Sequence, residues 1–138
     1  MEWLDKRFES YQKSAKDRRT IREAGDEVYT EVWKEIQEVV RAARKRGMDI
    51  QINGLPLHHT VRMGEHILKI DLDKDKESIT GESSGNTMVV LRFLLDAENA
   101  VFIENSGDPV SYAEAARRIM EPFLFGKHSA YASPGPGA

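Results

Sequence analysis

From Met1 to Arg46 the chain contains no proline, and apolar or small residues recur three or four positions apart along most of that stretch. Leu4, Phe8, Tyr11, Ala15, Ile21, Gly25, Val28, Val32, Ile36, Val39 and Ala43 trace one helical stripe. Arg41, Arg44, Lys45 and Arg46 stand just before Gly47. Cations suit the negative end of a helix dipole, and glycine suits the left-handed residue that follows it. Residues 1–47 are therefore expected to be helical. At 1.5 Å per residue such a helix reaches about 68 Å. A compact chain of 138 residues is only about 35–40 Å across. No single globular body of this size can cover it.

Two readings fit that conflict. Between Lys13 and Glu23 the stripe thins to Ala15 and Ile21, and Thr20 with Glu23 three residues on matches a capping box. A break there would fold residues 2–18 back as a separate arm. An unbroken helix would instead overhang its domain and leave Trp3, Leu4, Phe8 and Tyr11 in need of a partner. Under both readings the N-terminal arm is the expected oligomerisation or docking element.

After Gly47 the apolar period changes from 3.6 to 2. Leu55, Leu57, His59, Val61 and Met63 alternate with polar positions, as do His66, Leu68, Ile70 and Leu72. Gly64-Glu65 between them suits a two-residue type II′ turn. That turn pairs Met63 with His66, Val61 with Leu68, His59 with Ile70 and Leu57 with Leu72, which keeps every core residue on one face. On the other face it pairs Thr60 with Lys69 and His58 with Asp71. Upstream, Ile50 and Ile52 belong to a short strand followed by a hairpin signal at Asn53-Gly54. Downstream come a short strand at Ile79, a turn at Ser83–Asn86, the apolar strand Thr87–Leu95, and a strand over residues 100–104. Val89, Leu91, Phe93 and Leu95 share one face of that apolar strand, while Met88, Val90 and Leu94 share the other. Apolar residues on both faces call for cover on both, most simply one helix on each side.

Ser111 and Glu114 form a second capping box behind Asp108-Pro109. A helix burying Tyr112, Ala115, Ala116, Ile119 and Met120 should follow to about Glu121, with Pro122 ending or kinking it. Phe123, Leu124 and Phe125 should pack back on the sheet. The expected class is α+β: a long N-terminal helix, unbroken or broken near Thr20, an antiparallel meander of about five strands, and a C-terminal helix. One domain should span residues 1–126, with a helical arm over 1–47, the sheet over 48–105 and the last helix over 109–125. Residues 127–138 have no core-forming pattern and should be disordered.

Chemical signals are sparse. There is no cysteine, hence no disulfide framework, thiolate metal site or cysteine nucleophile. Asp71, Asp73, Asp75, Glu77 and Glu82 mimic the spacing of a calcium loop, but Lys76 occupies the place of its obligatory glycine and strands flank it. The run reads as a solvated turn. Ser78, Ser83, Ser84, Ser106 and Ser111 sit in turns or caps with no nucleophile elbow, and no glycine-rich loop leads from a strand into a helix. No catalytic residue, metal or cofactor is expected, and the balance leans away from an enzyme.

What remains is surface. The leading expectation is a non-enzymatic protein-interaction or adaptor module, homodimeric through the N-terminal helix or the two-faced apolar strand. Trp3, Leu4, Phe8, Tyr11, Val90 and Leu94 are its candidate contacts, and its partner is a second copy or another protein. The first alternative is a small-molecule-binding or catalytic pocket between sheet and helix, with His59, His66 and Tyr112 as polar contacts. A core histidine satisfied by a hydrogen bond is the plainer reading of His59. The second alternative is nucleic-acid binding through Arg18, Arg19 and Arg22 in the basic stretch 13–22, although acidic residues are interleaved there. In size, mild acidity and helix-flanked sheet the chain is similar to small adaptor or secretion-chaperone-like proteins, a likeness of fold that no motif carries.

The net charge of −3 conceals a division. Residues 1–47 hold 12 Lys and Arg against 10 Asp and Glu, and the remainder holds 8 against 13. A faintly basic helix is thus joined to an acidic sheet. No apolar run approaches a membrane span, and the mixed charge of Met1–Arg7 shows no secretory pattern. The expected compartment is the cytoplasm.

Overall fold

The computed structural model describes residues 1–83 and 85–126; the disordered tail expected at 127–138 lies outside them, as does Ser84. Helix α1 (Glu2–Lys45) runs without interruption. Seven strands follow: β1 (Gln51–Leu55), β2 (His58–Met63), β3 (His66–Asp73), β4 (Ser78–Ser83), β5 (Asn86–Leu95), β6 (Val101–Asn105) and β7 (Asp108–Val110). They form one antiparallel sheet in sequence order, and α2 (Tyr112–Phe125) closes the described chain. The class is α+β.

The break near Thr20 does not occur. The Thr20 hydroxyl donates to the carbonyl of Lys16, one turn back, so the side chain serves the helix interior instead of capping a new one. At the other end Arg46 and Gly47 donate to the carbonyls of Ala43 and Arg44, and Gly47 adopts φ 92°, a left-handed value that glycine takes without strain.

The β2–β3 hairpin has the register its turn dictates. Met63 pairs with His66, Val61 with Leu68 and His59 with Ile70. Gly64 has φ 62° and Glu65 does not share the positive value, as a type II′ turn requires. The preceding hairpin differs from expectation. Asn53-Gly54 lies inside β1, with Gly54 opposite His59, and the turn falls at Pro56-Leu57. Leu55 therefore belongs to β1. A side chain on Gly54 would run into the backbone of His58, so this glycine serves a close strand approach, not a turn. The strand count of about five becomes seven, and β7 is the strand the sequence did not suggest. Asp108-Pro109-Val110 forms a short edge strand on β6 where the sequence suggested a lead into the helix. Proline is tolerated at such an edge.

Both helices lie on the same face of the sheet. Gly25 of α1 approaches Leu72 and Phe93, while Ile119 of α2 approaches Gly81. Those positions share the face that also carries Leu68, Ile70, Ile79 and Leu91. The core forms there, from Val28, Val32, Ile36 and Val40 of α1, Ala115, Ala116, Ile119 and Met120 of α2, and the inward residues of β2–β6. Each fully buried Val or Ile contributes on the order of 1.5–3 kcal/mol. The expected helix on the opposite face is absent among the described residues. That face is less apolar than β5 alone suggests. Lys69 stands across from Glu82 and Arg92 across from Glu104, and cross-strand neighbours of opposite charge suit a solvated face.

The start of α2 is capped as its sequence predicts, with the Glu114 amide donating to the Ser111 hydroxyl at 3.0 Å. At Pro122 the helix does not end, and the expectation for Tyr112 is corrected. Pro122 sits inside the helix, which continues to Phe125, because burial of Phe123 against the core holds the last turn in place. Tyr112, expected in the core, is exposed on the first turn.

Candidate functional site

The first residue of α1 to be buried is Ile21. The nineteen helical residues before it extend about 28 Å beyond the body of the domain. Along that arm Trp3, Phe8 and Tyr11 are 64%, 56% and 72% exposed, and Leu4 is half-buried. A helix gains most of its stability from packing one face, and this length of helix packs on nothing in its own sheet. Among the described residues it carries three of the exposed aromatic side chains on one helical segment.

The arm's charged residues are unevenly distributed. Residues 2–9 carry Glu2, Asp5 and Glu9 against Lys6 and Arg7, whereas residues 11–22 carry five Lys and Arg against Asp17 alone. Tyr11, Ser14, Ala15, Arg18, Arg19 and Arg22 line a concavity of about 510 Å³ together with Glu23. The three arginines of the basic stretch and the aromatic Tyr11 are thereby brought onto one face. Ala15, the smallest side chain of the arm's part of the stripe, lies between Tyr11 and Arg18.

The second open surface is the outer face of β5. Val89, Leu91 and Phe93 point into the core, so Met88, Val90 and Leu94 point away from it. Val90 is 39% exposed and Leu94 is half-buried. Val90 neighbours Thr80 and Leu94 neighbours Phe102. The result is a narrow apolar strip bordered by charged pairs.

His59 is held by two residues of α1 that the sequence reading did not connect with it. Its ring stacks on Trp33, with centroids 3.8 Å apart and planes 8° from parallel. Its Nδ1 lies 2.9 Å from the Tyr29 hydroxyl. That hydroxyl donates to the carbonyl of Ile70 at 2.8 Å. A phenol has one proton to give and the Ile70 carbonyl can only accept, so His59 Nδ1 must carry the hydrogen and donate to Tyr29. The hydrogen-bond network thus assigns the tautomer. Burial, and then the neighbouring His58, hold the imidazole below its ordinary value of 6.5. Burial pushes the Tyr29 phenol well above its ordinary range; hydrogen bonding from the His59 backbone offsets part of that, and the Asp71 charge adds to it. A neutral ring against a protonated phenol is an arrangement for holding α1 on β2, not for acid–base exchange near neutrality. Tyr29 and Trp33 are four residues apart beside the buried stripe. Two aromatics with polar tips at that spacing are the signal that could have paired them with a core histidine.

The other proposed polar contacts lie elsewhere. His66 is exposed at the β2–β3 turn, four positions along the hairpin from His59, or about 13 Å. Tyr112 stands at the start of α2, on the far side of the sheet order. His58 pairs with Asp71 at 3.1 Å on the exposed face, as the register predicts. In the acidic run, Asp73 accepts from the amides of Asp75 and Lys76 and so closes the β3–β4 turn. No described helix is long and apolar enough to cross a membrane. Compared with family models, with curated proteins and with solved structures, the chain matches none.

Proposed function

We propose that this protein is a non-enzymatic interaction module that works as a homodimer, with the free arm of α1 as its contact element. The observation that carries the reading is the arm itself. It is an uninterrupted helix that begins some twenty residues before its first buried side chain, with Phe8 and Tyr11 presented to solvent. Helices in proteins take most of their stability from packing an apolar face, so a partner surface would supply the packing the domain does not. The strip of Met88, Val90 and Leu94 is a secondary contact in this reading. The pocket reading is weaker, because Trp33 covers one face of the His59 ring and Tyr29 takes its Nδ1.

Size-exclusion chromatography with light scattering, run over a range of loading concentrations, tests the proposal. The mass should rise towards twice that of one chain as concentration reaches tens of micromolar. A mass that stays at one chain throughout contradicts it.

A further inference from the structure

We infer that two copies associate by laying their arms side by side in antiparallel order, centred near Lys13, with Tyr11 of each copy filling the hole above Ala15 of the other. The inference rests on the self-association proposed above and adds its geometry.

Spacing is the first support. Leu4, Phe8, Tyr11, Ala15, Arg18 and Arg22 follow one another at intervals of four, three, four, three and four. That is the spacing of a two-helix coiled-coil seam, in which each side chain enters a hole made by four residues of the facing helix. Tyr11, Ser14, Ala15 and Arg18 are such a set of four, and all of them line the concavity of about 510 Å³. Ala15 keeps the hole deep, and a large side chain fits it.

Charge selects the direction. Parallel arms would set the basic residues 11–22 of both copies side by side. Antiparallel arms set Glu2, Asp5 and Glu9 of one copy along the basic half of the other, in keeping with the uneven distribution of charge along the arm.

Register follows from covering the whole stripe. With the two-fold axis near Lys13, Tyr11 meets Ala15, Phe8 meets Arg18, Leu4 meets Arg22, and Asp5 lies beside Arg19. Large then faces small, a guanidinium lies on an aromatic ring, and the arginine stems cover apolar surface. Phe8 and Tyr11, 56% and 72% exposed, offer roughly 400–650 Å² of aromatic surface over both copies. Leu4, Ala15 and the arginine stems bring the contact to about the 1,000 Å² that a specific interface needs.

The absence of cysteine makes the test clean. Ser14→Cys places one thiol per chain beside the two-fold axis, and Glu2→Cys places its two thiols about 33 Å apart. With a short bismaleimide reagent, Ser14→Cys should give a covalent dimer and Glu2→Cys should not. Crosslinking at both positions would mean parallel arms and overturn the inference. Crosslinking at neither, in a chain that is dimeric by light scattering, would place the contact elsewhere and overturn the inference while the proposed function stands. A chain that is monomeric, its arm left for another protein, removes both. In the dimer Tyr11→Ala should raise the dissociation constant about tenfold or more, and an unchanged constant would also count against this seam.

Discussion

His59 lies face to face with Trp33, ring centroids 3.8 Å apart, and this contact fastens the buried half of α1 to the second strand of the sheet. The same imidazole donates to Tyr29, one helical turn earlier, which donates in turn to the Ile70 carbonyl of the neighbouring strand. The chain of contacts crosses from helix to sheet, and no buried side-chain polar atom among the described residues is left without a hydrogen bond.

Because folding depresses the affinity of His59 for a proton, stability should depend on pH in a definite direction. The unfolded chain takes up the proton first as pH falls. The contribution of this ring is therefore fully present above its ordinary value of 6.5 and is lost as pH drops through the lower, folded value. The melting temperature should decline as pH falls below about 6.5, and the decline should be shallower in His59→Gln. Equal slopes in the two proteins would remove His59 as the cause.

Tyr29→Phe keeps the ring and deletes the hydroxyl that serves both His59 and Ile70. Leaving a buried donor and a buried acceptor without that partner should cost about 1–3 kcal/mol in urea unfolding. A loss below about 0.5 kcal/mol would show that water replaces the hydroxyl there.

Gly25 sits in the middle of α1, and a methyl group added there would meet Phe93 and Leu72 at 3.6–3.8 Å, ordinary contact distances. Gly25→Ala should therefore stabilise the protein by roughly 0.5–1 kcal/mol, since alanine loses less freedom in a helix. A destabilised variant would mean that α1 lies closer to the sheet than described.

Gly81 behaves oppositely. Its added Cβ would lie 2.7 Å from Cγ1 of Val89, beside the register shift between Gly81 and Glu82. Gly81→Ala should cost about 1–3 kcal/mol. Combining it with Val89→Ala should cost less than the two changes added together, because the smaller side chain removes the clash. Strict additivity in thermal or urea unfolding would contradict this packing.

Much of this was legible in the residues. The α1 stripe, the β2–β3 register and the Ser111 cap rest on local rules, in which period, turn chemistry and capping agree without reference to distant contacts. The errors arose where a distant contact outweighed a local signal. Thr20 resembled a cap, yet the helix holds it through Lys16. Gly54 resembled a turn residue, yet its freedom is used for a close strand approach. Pro122 resembled a stop or a kink, and buried Phe123 carries the helix past it. The open face of β5 looked too apolar to be solvated because its charged cross-strand neighbours lie on other strands. Of the candidate site, the arm was visible as a stripe too long for its domain. The partners of His59 were not visible, since nothing in spacing alone joins residues thirty positions apart.

Sedimentation equilibrium of the full chain beside a Phe8→Asp/Tyr11→Asp variant tests the central claim most directly. Both side chains are exposed, so the variant should fold with an unchanged melting temperature when dilute. The parent chain should move from monomer to dimer with rising concentration while the variant stays monomeric. A parent that remains monomeric at tens of micromolar, or a variant that dimerises equally well, would contradict the assignment of the arm as the contact surface.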